Sequence, residues 1–425
     1  MKKHNLYALV AAGLLASGMT VSSASAADLG GNCCADLEER IAELEATTAR
    51  KGNRKVSLTV SGWVGQQVTF WDDGVESNTY VHDLGSTLGS HVKFTGSAQI
   101  SPGWSAGYVL QIEAIGSDSL TTSQSVPNGP AALSGVTNGV QTLQSYWFIK
   151  SDQLGKIGVG KQSQASDNTA ILVDGSGSLV PANWVAFDVN SFGIRSSNAG
   201  KDLDRTWGSI GGCVGGGAWG DCNGATMNVV RYDSPTFGGF SVSASWGEDD
   251  MWDVAARYAG EWSGFKLAAA AAYNENSSEA FLATPQDGDT FKYFQAGAFL
   301  MHVPTGLFAY GAYGHSEYDA AAGDSQTWYG KVGLRTRFSA LGHTVFYGEY
   351  ENVDASGEAF TDPTQADLNV TGLELWGAGI VQEIDAAAMS VWVKYRHLEA
   401  DANDDGLAIA TDDFQYVGVG GLINF

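Results

Sequence analysis

Charge is scarce in this 425-residue chain, and positive charge is scarcest. Only 16% of residues are charged, with 23 Lys and Arg against 47 Asp and Glu, a formal net charge of -24. An average chain is about 25% charged. So acidic a composition excludes a basic nucleic-acid binder. Long apolar runs are also missing: after Met19 no stretch reaches the roughly 20 residues that a membrane helix needs. Pro is rare, at 8 residues, and 11% of the chain is aromatic, which excludes disorder. Four Cys and seven scattered His contain no C-x-x-C spacing, so no zinc site or other cofactor is expected. No G-x-S-x-G elbow is present and no Ser-His-Asp set can be assigned from spacing, so no enzyme is expected. What the chain has in excess is Gly, 55 residues, with a mean hydropathy near zero.

The first residues set the compartment. Lys2 and Lys3 precede an apolar stretch from Leu6 to Met19, and Ala24-Ser25-Ala26 forms a small-x-small cleavage site. Residues 1–26 are therefore expected to be a cleaved signal peptide of an exported protein. Residues 27–55 differ in composition. Leu37, Ile41 and Leu44 form a narrow apolar stripe at helical spacing among charged residues, followed by the basic cluster Arg50, Lys51, Arg54 and Lys55. This is a short helical, coiled-coil-like periplasmic segment or a solvated spacer; so few heptads cannot hold helices together alone.

From Val56 onward the chain reads in period two. Val56, Leu58, Val60, Val64, Val68 and Phe70 alternate with Ser57, Thr59, Ser61, Gln67 and Thr69. The pattern recurs with starts near 56, 90, 104, 141, 155, 225, 238, 251, 264, 290, 306, 326, 342, 369, 387 and 411, which predicts sixteen strands. A soluble sandwich and an outer-membrane barrel both use such strands. Export favours the barrel, as do aromatics near strand ends such as Phe70-Trp71, Trp328-Tyr329 and Tyr347 to Tyr350, and an alternation of short and long connections. The expected fold is all-β: a 16-stranded antiparallel transmembrane barrel over residues 56–425, with both termini on one side.

At the level of motifs, "CCADLEERIAELEATTARKGNRKVSLTVSGWV", "GKIGVGKQ", "VVRYDSPTFGGFSVSASWG" and the terminal "YVGVGGLINF" resemble the trimeric general-diffusion porins of Gram-negative outer membranes, the alphaproteobacterial branch in particular. Gly421 departs from the aromatic common in such last strands. The resemblance implies a homotrimer in outer-membrane lipid and lipopolysaccharide, a last strand read by the barrel-insertion machinery, and a third loop folded into the pore. Residues 163–224, the longest non-alternating stretch, are the expected constriction loop.

That stretch carries Asp167, Asp174, Asp188, Asp202 and Asp204. Strand positions expected to face inward carry Lys93, Lys161, Arg231, Arg257, Lys331, Arg335, Arg337, Lys394 and Arg396. Opposed rows of charge across a constriction would set a transverse field. Cys213 and Cys222 bracket a Gly-rich segment, so a local disulfide is expected there; bridges between subunits at Cys33 and Cys34 are an alternative. The expected function is passive diffusion of ions and small hydrophilic solutes, with a lean to cations. A substrate-selective channel, for sugars for example, or a barrel tethered to peptidoglycan are the alternatives.

Overall fold

The computed structural model describes residues 56–127, 139–196, 201–210, 219–247, 250–277, 290–318, 324–355, 368–404 and 407–425. The signal peptide, the 27–55 segment, Cys33, Cys34 and Cys213 lie outside them, as do the side chains of Asp202 and Asp204. Sixteen antiparallel strands close a barrel. They are β1 (Thr59–Asp72), β2 (Ser90–Ser101), β3 (Trp104–Ile115), β4 (Gly139–Ser151), β5 (Gly155–Gln162) and β6 (Met227–Asp233). There follow β7 (Phe240–Gly247), β8 (Trp252–Trp262), β9 (Phe265–Asn276), β10 (Phe291–His302) and β11 (Leu307–Tyr318). The wall ends with β12 (Ser325–Ser339), β13 (Gly342–Ala355), β14 (Leu368–Ile384), β15 (Met389–Asp404) and β16 (Phe414–Asn424). Each expected start lies within about three residues of an observed one.

Closure comes from β1 pairing with β16, in register from Trp63 opposite Asn424 to Asp72 opposite Gln415. Terminal Phe425 extends that ladder, exchanging two backbone hydrogen bonds of 3.0 Å with Gly62. Both ends of the wall thus meet on the side of the short turns. One of the two-residue turns among these is Ser263-Gly264 between β8 and β9, where φ values of 47° and 81° match the positive-φ turn that suits twisted hairpins.

The alternation resolves into two faces. Val64, Trp147, Val242, Trp328, Val332 and Val393 point outward and are about half exposed, an oily exterior for lipid. Inward positions are polar or covered by the loop. Aromatic pairs in the sequence split across the wall: Phe70, Trp328 and Tyr350 face out, whereas Trp71, Tyr329 and Tyr347 are buried inside. A girdle drawn from all of them is corrected to every second one, because successive strand residues alternate faces. Lys161 is corrected likewise. It pairs with Ser145 and shares the outer face with Ile157 and Trp147, so it does not line the pore.

Two segments fold inward. The connection 163–226 between β5 and β6 is the expected constriction loop, which includes a small hairpin of Gly193–Ser196 and Lys201–Thr206. Its side chains Ala182, Trp184, Val185 and Ile194 are nearly inaccessible. The second is unexpected. A strand at Ser77–His82 and then β2 pair in turn with β1, His82 opposite Gln67 and His91 opposite Trp63. Between these two contacts the chain leaves the wall, and residues 83–89 turn into the barrel, burying Leu84.

Candidate functional site

The root of the loop sits where the wall is built of small residues. Ala165 packs with Ala255 of β8 and Ala272 of β9. Arg231 of β6 donates to the carbonyls of Ser163 and Gln164 at 2.9 and 3.0 Å and pairs with Asp233 at 2.8 Å. Arg257 of β8 donates to the Ala165 carbonyl at 2.6 Å and to Thr169 Oγ1 at 2.9 Å. Asp253 Oδ2 accepts from the backbone and hydroxyl of Ser166 at 2.7 and 2.6 Å. Asp167 is buried beside Asn168, whose amide donates to its Oδ1 at 2.6 Å. Burial pushes the Asp167 carboxyl up, with the Asp221 charge adding to the effect.

Farther along, the loop crosses the lumen and is held by three cationic wall residues. Lys331 Nζ of β12 pairs with Asp174 at 2.6 Å and donates to the Ala182 carbonyl at 2.7 Å. Lys394 of β15 pairs with Asp188, whose carboxylate also accepts from Gln67 and Tyr416, each at 3.0 Å. Burial alone would raise Asp188, but the Lys394 ammonium outweighs it and holds the carboxyl at about 2. Arg396 grips Glu349 with two bonds of 2.8 Å and donates to the Asn183 carbonyl at 2.6 Å. Each contact is buried, so removing one partner leaves an uncompensated buried charge, which makes each costly to break on one side.

The expected residues therefore come together, but in contact rather than as rows facing across water. Arg335 and Arg337 lie toward the short-turn rim, where they pair with Glu383 at 2.9 Å and with Asp385. Lys93 faces inward beside Gln111. Reasoning from sequence missed the wall acids Asp233, Asp253, Glu349 and Glu351. Glu349 and Glu351 stand on inward positions of β13, two apart like Lys394 and Arg396, and that phase was the available signal.

The inward segment 83–89 was missed altogether. Three carboxylates take over its backbone N–H groups. Glu113 accepts from Thr87 and Gly89 at 3.1 and 2.7 Å, Asp83 from Gly85 at 3.0 Å, and Asp118 from Ser86 at 3.0 Å, while Asp83 also ties the segment to Gly116 after β3, accepting its N–H at 3.0 Å. Burial pushes the Asp83 and Asp118 carboxyls up. Leu84 and Leu88, four apart in a polar connection, were the hint. Replacing Glu113 with Ala strips the buried Gly89 N–H of its acceptor, at a cost of about 1–3 kcal/mol, and the part-buried Thr87 N–H as well. Protease cleavage within 83–89 is expected to accelerate while the barrel itself stays heat-modifiable, as gel mobility before and after boiling would show.

Cys222 is buried and disulfide-bonded; its expected partner Cys213 lies outside the described residues.

No curated protein sequence matches the chain. Among solved structures it is similar to the anion-selective porin from Comamonas acidovorans, with a TM-score of 0.55 and 15% identity over 87% of this chain and 100% of that one. It is similar to OprB of Pseudomonas putida, with a TM-score of 0.55 and 10% identity over 92% and 97% of the two chains. It also resembles the trimer form of OmpT, an outer membrane protein of Vibrio cholerae, with a TM-score of 0.51 and 12% identity over 87% and 99%. At these identities the likeness concerns the fold. A family model described as Gram-negative porin matches residues 8–421, nearly the whole chain. The chain belongs to the Gram-negative porins, β-barrels of the outer membrane that form passive channels.

Proposed function

We propose that this porin is a cation-preferring general-diffusion channel whose eyelet is set by the pinned loop 163–226 and the inward segment 83–89. The observation that carries this reading is the imbalance of pairing inside the barrel. Lys331, Lys394, Arg231 and Arg396 each pair with a carboxylate. Asp83, Glu113, Asp118, Asp221 and Glu351 form no ion pair among the described residues. Arg257 is held by loop oxygens and not by a carboxylate, but one such cation against five unpaired acids leaves the residual charge around the loop negative, and low-dielectric walls focus its field on passing ions.

The channel works as a homotrimer embedded in outer-membrane lipid and lipopolysaccharide, as the trimer form of the Vibrio cholerae relative supports. Its leader is residues 1–26, and the resemblance of the motifs around residues 33–64 supports a place in the alphaproteobacterial branch. Phe425, exposed at the end of β16, suits recognition by the barrel-insertion machinery. The 27–55 segment adds a trimer contact or a hold on peptidoglycan. Lys93 and Arg257 line the pore wall and Arg257 supports the loop root, Arg335 and Arg337 line the short-turn mouth, and Cys213 pairs with Cys222. The barrel performs transport and no catalysis.

The test is the reversal potential of purified protein in a planar bilayer under a KCl gradient. A potential showing K+ to be more permeant, with openings grouped in threes, is expected. A preference for chloride contradicts the charge reading, and openings that occur only singly contradict the trimer.

A further inference from the structure

A cavity lies in the lumen between the loop, the wall and the segment 83–89. Its lining is largely apolar. Trp63 and Leu422 come from the wall, Leu88 from the inward segment, and Ile171, Val180 and Phe187 from the loop. A route for hydrated ions alone gains nothing from such a surface, whereas an apolar body leaving water does.

One carboxylate lines the same cavity. Asp221 Oδ1 accepts from the Asn168 N–H at 3.0 Å and from Gln295 at 2.9 Å, but no cation pairs with it among the described residues. Burial pushes its carboxyl up, and an ammonium ion beside it would favour the charged form. The nearby charges do not cancel it. Arg231 is occupied by Asp233 and two carbonyls and Arg257 by the loop root, while Asp167 and Asp253 add acid.

We propose that this cavity is a subsite for small organic cations with an apolar body, such as arylalkylammonium ions. The ammonium lies toward Asp221, and the body rests against Leu88, Val180 and Phe187. The inference rests on the open-channel reading and names a solute class for it.

The test uses the purified full-length protein in planar bilayers, with KCl current recorded while phenethylammonium, methylammonium or phenylacetate is added to one side. Phenethylammonium is expected to interrupt the current at about one tenth of the concentration that either of the others requires, since a gap of that size corresponds to about 1.4 kcal/mol of binding. Asp221→Asn, which keeps an acceptor oxygen, is expected to weaken that block about tenfold. Val180→Asn, at a partly exposed position, is expected to narrow the gap between phenethylammonium and methylammonium. Equal block by all three solutes, or block indifferent to both variants, overturns the proposal and leaves the channel standing. Absence of any KCl current from folded protein overturns the open-channel reading itself.

Discussion

Substituting Lys331 with Met is expected to free the tip of the constriction loop and raise single-channel conductance. Lys331 is almost fully buried, with Asp174 on one side, the Ala182 carbonyl on another, and the rings of Tyr310 and Tyr347 about 5.7 Å away. Removing the ammonium leaves Asp174 as an uncompensated buried charge, which costs about 3–5 kcal/mol. The cheapest relief is for the loop to swing off the wall toward water. Conductance should rise, and protease should cut within residues 163–226 that resist it in the parent. The double variant Lys331→Met with Asp174→Asn removes the stranded charge and is expected to recover most of the protection. A single variant with unchanged conductance and unchanged cleavage would show that the pair does not hold the loop.

The second large effect comes from a side chain that is absent. Gly297 on β10 faces the loop so closely that a Cβ there would stand 2.5 Å from the Ala170 carbonyl oxygen and 2.9 Å from its Cα. Gln295 Oε1, two residues earlier on the same face, accepts the Ala170 N–H at 2.8 Å, and Tyr310 donates to the Ala170 carbonyl at 2.8 Å. Gly297→Val therefore forces backbone apart at a point gripped from both sides, an overpacking cost of about 1–3 kcal/mol or more. The expected result is a displaced loop with altered conductance and a lost block by organic cations. Gly330→Ala on β12 provides the comparison, since a Cβ there meets nothing within 4 Å. It should leave both readouts unchanged. If the two variants behave alike, close approach at Gly297 is not what seats the loop.

The wall was legible in the sequence because lipid outside and water inside impose a period of two on every strand, and a period repeated sixteen times survives errors at single boundaries. The loop was legible as the long interruption of that period. The pairing inside was less so. Arg231, Lys331, Lys394 and Arg396 announced themselves by phase, but their partners sit far away in sequence: Lys394 and Asp188 are 206 residues apart. Phase also failed where it was applied loosely, as at Lys161, which falls in step with Ile157 on the outer face. The segment 83–89 escaped because it breaks the ladder of β1 without ending it, resuming the same pairing at His91. The apolar cavity escaped because its lining is gathered from two inward segments and opposite ends of the chain, Trp63 and Leu422 among them.

The account rests on a lumen narrowed by a loop that buried ion pairs hold in place. Single-channel conductance of the parent and of Lys331→Met, recorded side by side in planar bilayers, tests it most directly. Small steps in the parent, grouped in threes, and larger steps in the variant are the predicted result. Equal steps in the two proteins would contradict a pinned loop as the element that sets the pore.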